Sequence, residues 1–186
     1  MILSISGVPG SGKTSVAKIL AKRLGVTFYS IGGLRGKMAL ERGMTIDELN
    51  KIGEIDATTD TPVDDYQREL GKTEDNFVIE GRLSWHFIPH SYKIFLQCEL
   101  REAARRIYLA RHLKGSEERS DEPLSASVKD AEHDISARMA SDDLRYKKYY
   151  GVNYRDPSQY DLILDTTAMH SAEETVEVIL AHLPSP

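Results

Sequence analysis

The first fifteen residues, MILSISGVPGSGKTS, run a short apolar stretch straight into a turn that carries three glycines, a lysine and several hydroxyls. Gly7, Gly12, Lys13 and Thr14 have the spacing of a glycine, four residues, then glycine, lysine and a hydroxyl. After a strand and before a helix, that spacing makes a phosphate-binding loop. The glycines let the backbone N–H groups of residues 7–15 turn inward, and the helix start adds its positive dipole end. Val8, Pro9, Gly10, Ser11 and Ser15 complete the cradle. Lys13 is placed to reach β and γ phosphates and Thr14 to hold a magnesium ion. Few features constrain a fold as strongly, because the loop works only between a buried strand and the helix that follows it.

The rest of the chain alternates accordingly. MILSIS (1–6), VTFYS (26–30), NFVIE (76–80), YKIFLQ (92–97) and YDLILDT (160–166) are brief, rich in branched or aromatic residues, and bounded by polar or turn residues, so they read as five strands. Between the first two, Val16, Ile19, Leu20 and Leu24 form a stripe of helical period that Gly25 ends. Ser171 and Glu174 have capping-box spacing and start a last helix. Strands separated by helices predict a parallel sheet covered on both faces, an α/β fold of three layers. Residues 32–73 read as a largely helical block inserted between the second and third strands. HLKGSEERSDEP (112–123) is charged, lacks large apolar residues and is expected to be a mobile surface loop.

At 186 residues and 40% hydrophobic content the chain suits one domain. With 29 acidic against 24 basic residues and a pI near 5.7, it lacks the net basic face of a nucleic-acid or membrane-surface binder. One cysteine rules out an internal disulfide. No export signal or membrane span is evident, and a cytoplasmic protein is expected. Pro89 would interrupt any helix aiming His86 and His90 at one metal. The one Asn-Lys pair, Asn50 and Lys51, precedes Ile52 and Gly53, so the base-reading run of a signalling GTPase is missing. A small-molecule kinase remains the leading reading.

Such an enzyme needs arginines arriving from several elements, because guanidinium forks clamp phosphate oxygens and offset charge in the transition state. SIGGLRG places Arg35 after the second strand, and VIEGRLS places Glu80 at the end of the third with Arg82 two residues on. REAARRIYLAR supplies Arg105, Arg106 and Arg111, and SARMASDDLRYKKYYG supplies Arg138 and Arg145. Arg105 and Arg106 cannot share one helix face, and Arg35, Arg82 and Arg106 are preferred over the rest. Asp60, Asp64, Gln67, Ser84 and Trp85 are candidates for reading a base, with Trp85 better suited to core or pocket wall. In RYKKYYG the aromatics are expected to pack and the lysines to face solvent, on a helix ending at Gly151.

GVPGSGKTSVAKILAKRLG, SIGGLRGKMALERGM, VIEGRLS, ARRIYLAR and RYKKYYGVN followed by YDLILDT together resemble the short archaeal-type cytidylate kinases of the nucleoside monophosphate kinase superfamily, over roughly residues 1–167. The resemblance implies a P-loop kinase core (1–31, 76–111 and 129–186), a monophosphate-binding flap (32–75) and a short lid (112–128). It implies ATP as donor with Mg2+ and CMP or dCMP as acceptor. Lys13 and the loop amides would hold the donor phosphates, and Ser30, Arg35, Asp64, Gly81, Arg82 and Arg145 the acceptor. Arg106, Arg111 and Arg138, with Arg145 beside them, would form a lid-side clamp, Arg106 and Arg138 acting with Lys13 in catalysis. Glu80 would hold the magnesium through water. A monomer acting on small-molecule nucleotides, with no nucleic-acid or membrane partner, is expected. The residues themselves leave open another small-molecule kinase, for adenylate, shikimate or dephospho-coenzyme A, and a nucleotide-gated switch or ATPase.

Overall fold

The computed structural model describes residues 1–113 and 125–184, without the side chain of Leu113. Five parallel strands, β1 (Leu3–Gly7), β2 (Thr27–Ser30), β3 (Phe77–Glu80), β4 (Tyr92–Gln97) and β5 (Leu162–Asp165), lie in the order β2-β3-β1-β4-β5. Every residue of β1 is buried, as a central strand flanked on both sides must be. Its register sets Ile5 beside Glu80 of β3 and Gly7 beside Leu96 of β4. The chain builds one half of the sheet, then steps across β1 to add β4 and β5. The carboxyl end of β1 therefore lies where the strand order reverses, the crevice in which open α/β sheets bind ligands.

One face of the sheet is covered by α1 (Lys13–Leu24) and α8 (Ala172–His182), through Val16, Ala17, Leu20, Val176 and Ile179 against Leu3, Ile5, Val78, Ile94 and Leu96. On the other face, α2 (Ile31–Glu41) and α4 (Thr61–Thr73) bring Ile31, Val63 and Leu70 onto Ile2, Phe77 and Ile79. Glycine 25, at φ 68°, ends α1 with its N–H on Ala21 and Lys22 carbonyls, and Ser171 caps α8, both as the sequence predicts.

The predicted helical block of 32–73 resolves into α2, α3 (Ile46–Gly53) and α4, with a short 3-10 turn at Ala57–Thr59. Each start has a local cause: Ser30 caps α2, Thr45 and Glu48 form a capping box on α3, and Pro62 stands in the first turn of α4. After β3 the short α5 (Ser84–Phe87) turns the chain toward β4. Helices α6 (Leu100–Leu113) and α7 (Val128–Tyr150) pack through Ala103, Ala104, Ala131 and Ile135. Helix α7 ends at Gly151, φ 69°, with Tyr146 and Tyr150 packed and Lys147 and Lys148 exposed. Most of the expected lid, residues 114–124, lies outside the described residues.

Candidate active site

The phosphate-binding loop sits between β1 and α1 in the form its sequence demands. Gly12 occupies the left-handed region at φ 85°, where it caps α1 without a side chain. A Cβ on Gly10, itself at φ 74°, would meet the Ala103 carbonyl oxygen at 2.6 Å, so α6 packs directly on the loop. Ser11 Oγ donates to the Val8 carbonyl at 2.9 Å, and Lys13 Nζ reaches the same carbonyl at 2.6 Å. The lysine thus lies across the mouth of the loop. Thr14 is half-buried in the first turn of α1, and Ser15 is exposed.

Beside the loop, the N–H of Gly81 bonds the Ile5 carbonyl at 3.1 Å, and Ser6 Oγ donates to the Arg82 carbonyl at 3.0 Å. The turn after β3 is thereby fixed against the end of β1. A Cβ on Gly81 would stand 2.9 Å from Ile31 Cβ, so only glycine lets β3 turn under α2. Glu80 is buried and its Oε1 accepts a hydrogen bond from Ser30 Oγ, which in turn accepts from the Gly33 N–H at 3.0 Å. This carboxylate, one strand from the loop, and the Thr14 hydroxyl fit a hard cation that arrives with phosphate oxygens and keeps its waters. Among the described residues no group of three or more acidic, histidine or cysteine side chains could cage a metal alone.

Three arginines from three elements meet next to this turn. Arg35 of α2 donates through Nε to Asn50 Oδ1 at 3.0 Å and through Nη1 to Asp60. Arg145 of α7 donates to both Asp60 oxygens at 3.0 and 2.9 Å and to Asp142 Oδ1 at 2.6 Å. Arg82 pairs with the other oxygen of Asp142. Burial alone would push the Asp142 carboxyl up, but Arg82, Arg145 and Arg138 together hold it below its ordinary value. Burial pulls the Arg35 guanidinium down, against Asp60. The cluster holds three cations against two carboxylates, and Arg145 is 1% exposed. Arg35 Nη2, Arg82 Nη2 and Arg145 Nε are buried without a hydrogen-bond partner. An uncompensated buried cation is costly, so this cluster is built to receive an anion.

Asp142 went unnoticed in the sequence, although its i,i+3 spacing from Arg145 is a readable signal. Asp60, considered there as a base reader, proves to be the bridge between Arg35 and Arg145. Arg145, expected among the lid-side arginines as well as the acceptor contacts, lies in the cluster with Arg35 and Arg82, paired to Asp60 and Asp142. Trp85 is core: it packs with Leu83, Phe95 and Tyr154, its indole N–H donates to the Arg82 carbonyl at 3.0 Å and its ring lies edge-on to Tyr160.

Arg106, expected in the phosphate clamp, lines a cleft together with residues 10–12 and is held by its own set of partners. Its Nε donates to Glu102 Oε1 at 2.8 Å, and its Nη2 to the carbonyls of Thr166, Thr167 and Met169 at 2.6, 3.2 and 3.1 Å. The Arg105 and Arg106 guanidiniums hold the Glu102 carboxyl down to about 2. Thr166 Oγ1 also lies within bonding distance of the Ser11 and Gln97 carbonyls. The turn after β5 is thus tied to the phosphate-binding loop. A cleft of about 630 Å³ opens between this turn, Arg106 and residues 10–12. Arg111 stands in the last turn of α6, and Arg138 lines a smaller cavity with Pro9 and Ile107.

A parallel 2-3-1-4-5 sheet with this loop at its switch point defines a P-loop kinase. Among solved structures, a shikimate kinase from Bacteroides thetaiotaomicron shares the fold at TM-score 0.64 and 19% identity, over 98% of this chain and 99% of that one. A protein described as uncharacterized from Eubacterium ventriosum does so at TM-score 0.71 and 18% identity, over 100% and 99%. The cytidylate kinase-like family model matches residues 2–168. A cytidylate kinase of Methanocella arvoryzae is 40% identical over 90% of this chain and 88% of its own, and one of Methanobrevibacter smithii is 31% identical over 98% of each. The chain belongs to the cytidylate kinase-like family.

Proposed function

We propose that this protein transfers the γ-phosphoryl group of MgATP to CMP or dCMP. The observation that carries the reading is the buried cluster of Arg35, Arg82 and Arg145, one positive charge in excess and with three unpartnered guanidinium nitrogens, set beside a phosphate-binding loop. Two phosphate sites in one crevice suit a reaction between two phosphates. The names of the relatives supply the acceptor.

Residues 7–15 and Lys13 bind the donor phosphates. Arg35, Arg82 and Arg145 take the acceptor phosphate, with Ser30, Gly81 and Asp64 shaping its site. The acceptor oxygen is already ionised, so transfer needs placement and charge stabilisation rather than a strong base. Lys13 swings from the Val8 carbonyl to the transferred group. Arg138 and Arg111, on the lid-side helices, add positive charge there. Arg106 acts through the 166–169 turn, which it holds against the donor. A magnesium ion held by Thr14 and, through water, by Glu80 would offset charge on the β- and γ-phosphoryl oxygens. Residues 32–75 act as the acceptor flap and 112–128 as the lid that excludes water. No helix among the described residues is long and apolar enough to cross a membrane.

The test is ADP release from MgATP with CMP, dCMP, UMP, AMP or no acceptor, with product identification. Fast release with CMP or dCMP, giving the diphosphate, is expected, and Lys13→Ala should lower it by orders of magnitude while leaving the fold intact. Equal release in every case would make water the acceptor and the protein an ATPase; near-normal activity of the lysine variant would refute the role of the loop.

A further inference from the structure

The acceptor cluster continues along one face of α4. Asp60, Asp64 and Gln67 stand at i, i+4 and i+7, and all three are buried. The first is fixed at the arginines, and the last lies about 10 Å further along the helix axis. A nucleotide whose phosphate sat on the arginines would have this face within reach of its sugar and base.

Asp64 and Gln67 are oriented from opposite elements. Tyr150 O–H of α7 donates to Asp64 Oδ2 at 2.6 Å, and Ser84 Oγ of α5 donates to Gln67 Oε1 at 2.7 Å. The tyrosine bond leaves the other carboxylate oxygen of Asp64 without a hydrogen-bond partner, and it is not among the atoms sealed from solvent. An ionised carboxylate only accepts hydrogen bonds. Gln67, with its carbonyl taken by Ser84 and one N–H on the Val63 carbonyl at 3.3 Å, has only N–H left to offer. The wall thus presents an acceptor next to a donor.

We propose that Asp64, held by Tyr150, is the residue that selects an amino-bearing acceptor base by taking a hydrogen bond from its exocyclic amino group. Cytosine presents an amino donor where an oxo pyrimidine presents a carbonyl acceptor. A carbonyl facing the Asp64 carboxylate sets two acceptors against each other, which a partly desolvated site penalises strongly. The neighbouring charges suit this role. Asp60 and Arg68 on α4 and Arg35 on α2 act on Asp64 together with Tyr150, and burial pushes its carboxyl up to about 6, leaving it mainly ionised at neutral pH.

The inference rests on the reading of the chain as a nucleoside monophosphate kinase. Three acceptors are compared in the full chain with saturating MgATP: CMP, UMP, and the monophosphate of the pyrimidin-2-one riboside, which lacks the amino group and adds no bulk. Wild type is expected to prefer CMP to both by roughly 10- to 100-fold in kcat/KM, the worth of one charge-assisted hydrogen bond. Asp64→Asn should shrink the CMP-to-UMP ratio at least about ten-fold, because the amide can turn a donor toward the carbonyl. Tyr150→Phe should raise KM for CMP and leave kcat and KM for ATP near wild type. A purely structural Asp64 would instead lower both acceptors together and leave their ratio within about three-fold, which overturns the inference. Should the aspartate variant not fold, wild type using the pyrimidin-2-one nucleotide as well as CMP overturns it equally. Activity on none of these acceptors would remove the kinase reading and this inference with it, whereas CMP turnover without discrimination removes the inference alone.

Discussion

Replacing Asp60 by asparagine tests the acceptor site through its electrostatics rather than its chemistry. Asp60 accepts from Arg35 and from both bonds of Arg145, and its side chain is 9% exposed. The variant keeps the shape of the residue but leaves Asp142 as the one carboxylate ion-paired within the cluster. Removing one partner of a buried ion pair costs about 3–5 kcal/mol. In a domain of this size each kcal/mol lowers Tm by about 2–4 °C, so the nucleotide-free variant should melt roughly 6–20 °C below wild type. A phosphate monoester carries about −1.5 to −2 charges at pH 7. CMP should therefore restore the charge balance and raise Tm by more degrees in the variant than in wild type, at a concentration well above Kd in both. Thermal denaturation by circular dichroism, with and without CMP and with inorganic phosphate as a second probe, reads both effects. A variant that melts within about 2 °C of wild type would show that the cluster is not electrostatically strained. An equal CMP shift in the two proteins would show that the acceptor phosphate does not bind among these arginines.

Arg106→Ala removes hydrogen bonds to three backbone carbonyls of the 166–169 turn. At about 1.5–3 kcal/mol for a charged bond, KM for ATP should rise roughly 10- to 100-fold with KM for CMP unchanged; a fall in kcat at constant KM for ATP would return Arg106 to the transferred phosphate. Asp64 predicts two pH effects. Folding lifts its carboxyl from the ordinary value near 4 to about 6, so the folded chain binds more protons in that interval and this group removes stability as pH rises from about 4 to 6. After allowance for solvent screening the effect is about 1–2 kcal/mol, and Tm should rise more, or fall less, between pH 4 and 6 in Asp64→Asn than in wild type. Below about pH 6 the protonated carboxyl can donate to a carbonyl, so the preference for CMP over UMP should fall; a preference constant from pH 5 to 8 would contradict the assignment.

What the sequence makes legible here is what local rules control. A glycine forced to positive φ, a strand bounded by turn residues and a helix opened by a cap each announce themselves within a few positions, which is why the loop, the five strands and α1 and α8 could be read directly. The arginines were also visible, because basic residues at strand ends in an acidic chain stand out. Their partners were not. Asp60 meets Arg145 across 85 positions, and the carbonyls that hold Arg106 lie 60 to 63 positions away, so only the packing of α6, α7 and the flap reveals which arginines are saturated and which retain unpaired donors. Arg106 gives its donors to one carboxylate and the turn after β5. Arg145, expected both among the acceptor contacts and beside the lid-side arginines, is almost fully buried between two carboxylates and still keeps an unpartnered Nε. Its burial is tolerable because both carboxylates sit on fixed elements, Asp142 one helical turn before it and Asp60 at the start of α4. The same two anchors tie the start of α4 to α7, so the guanidinium of Arg145 is held in place from both sides.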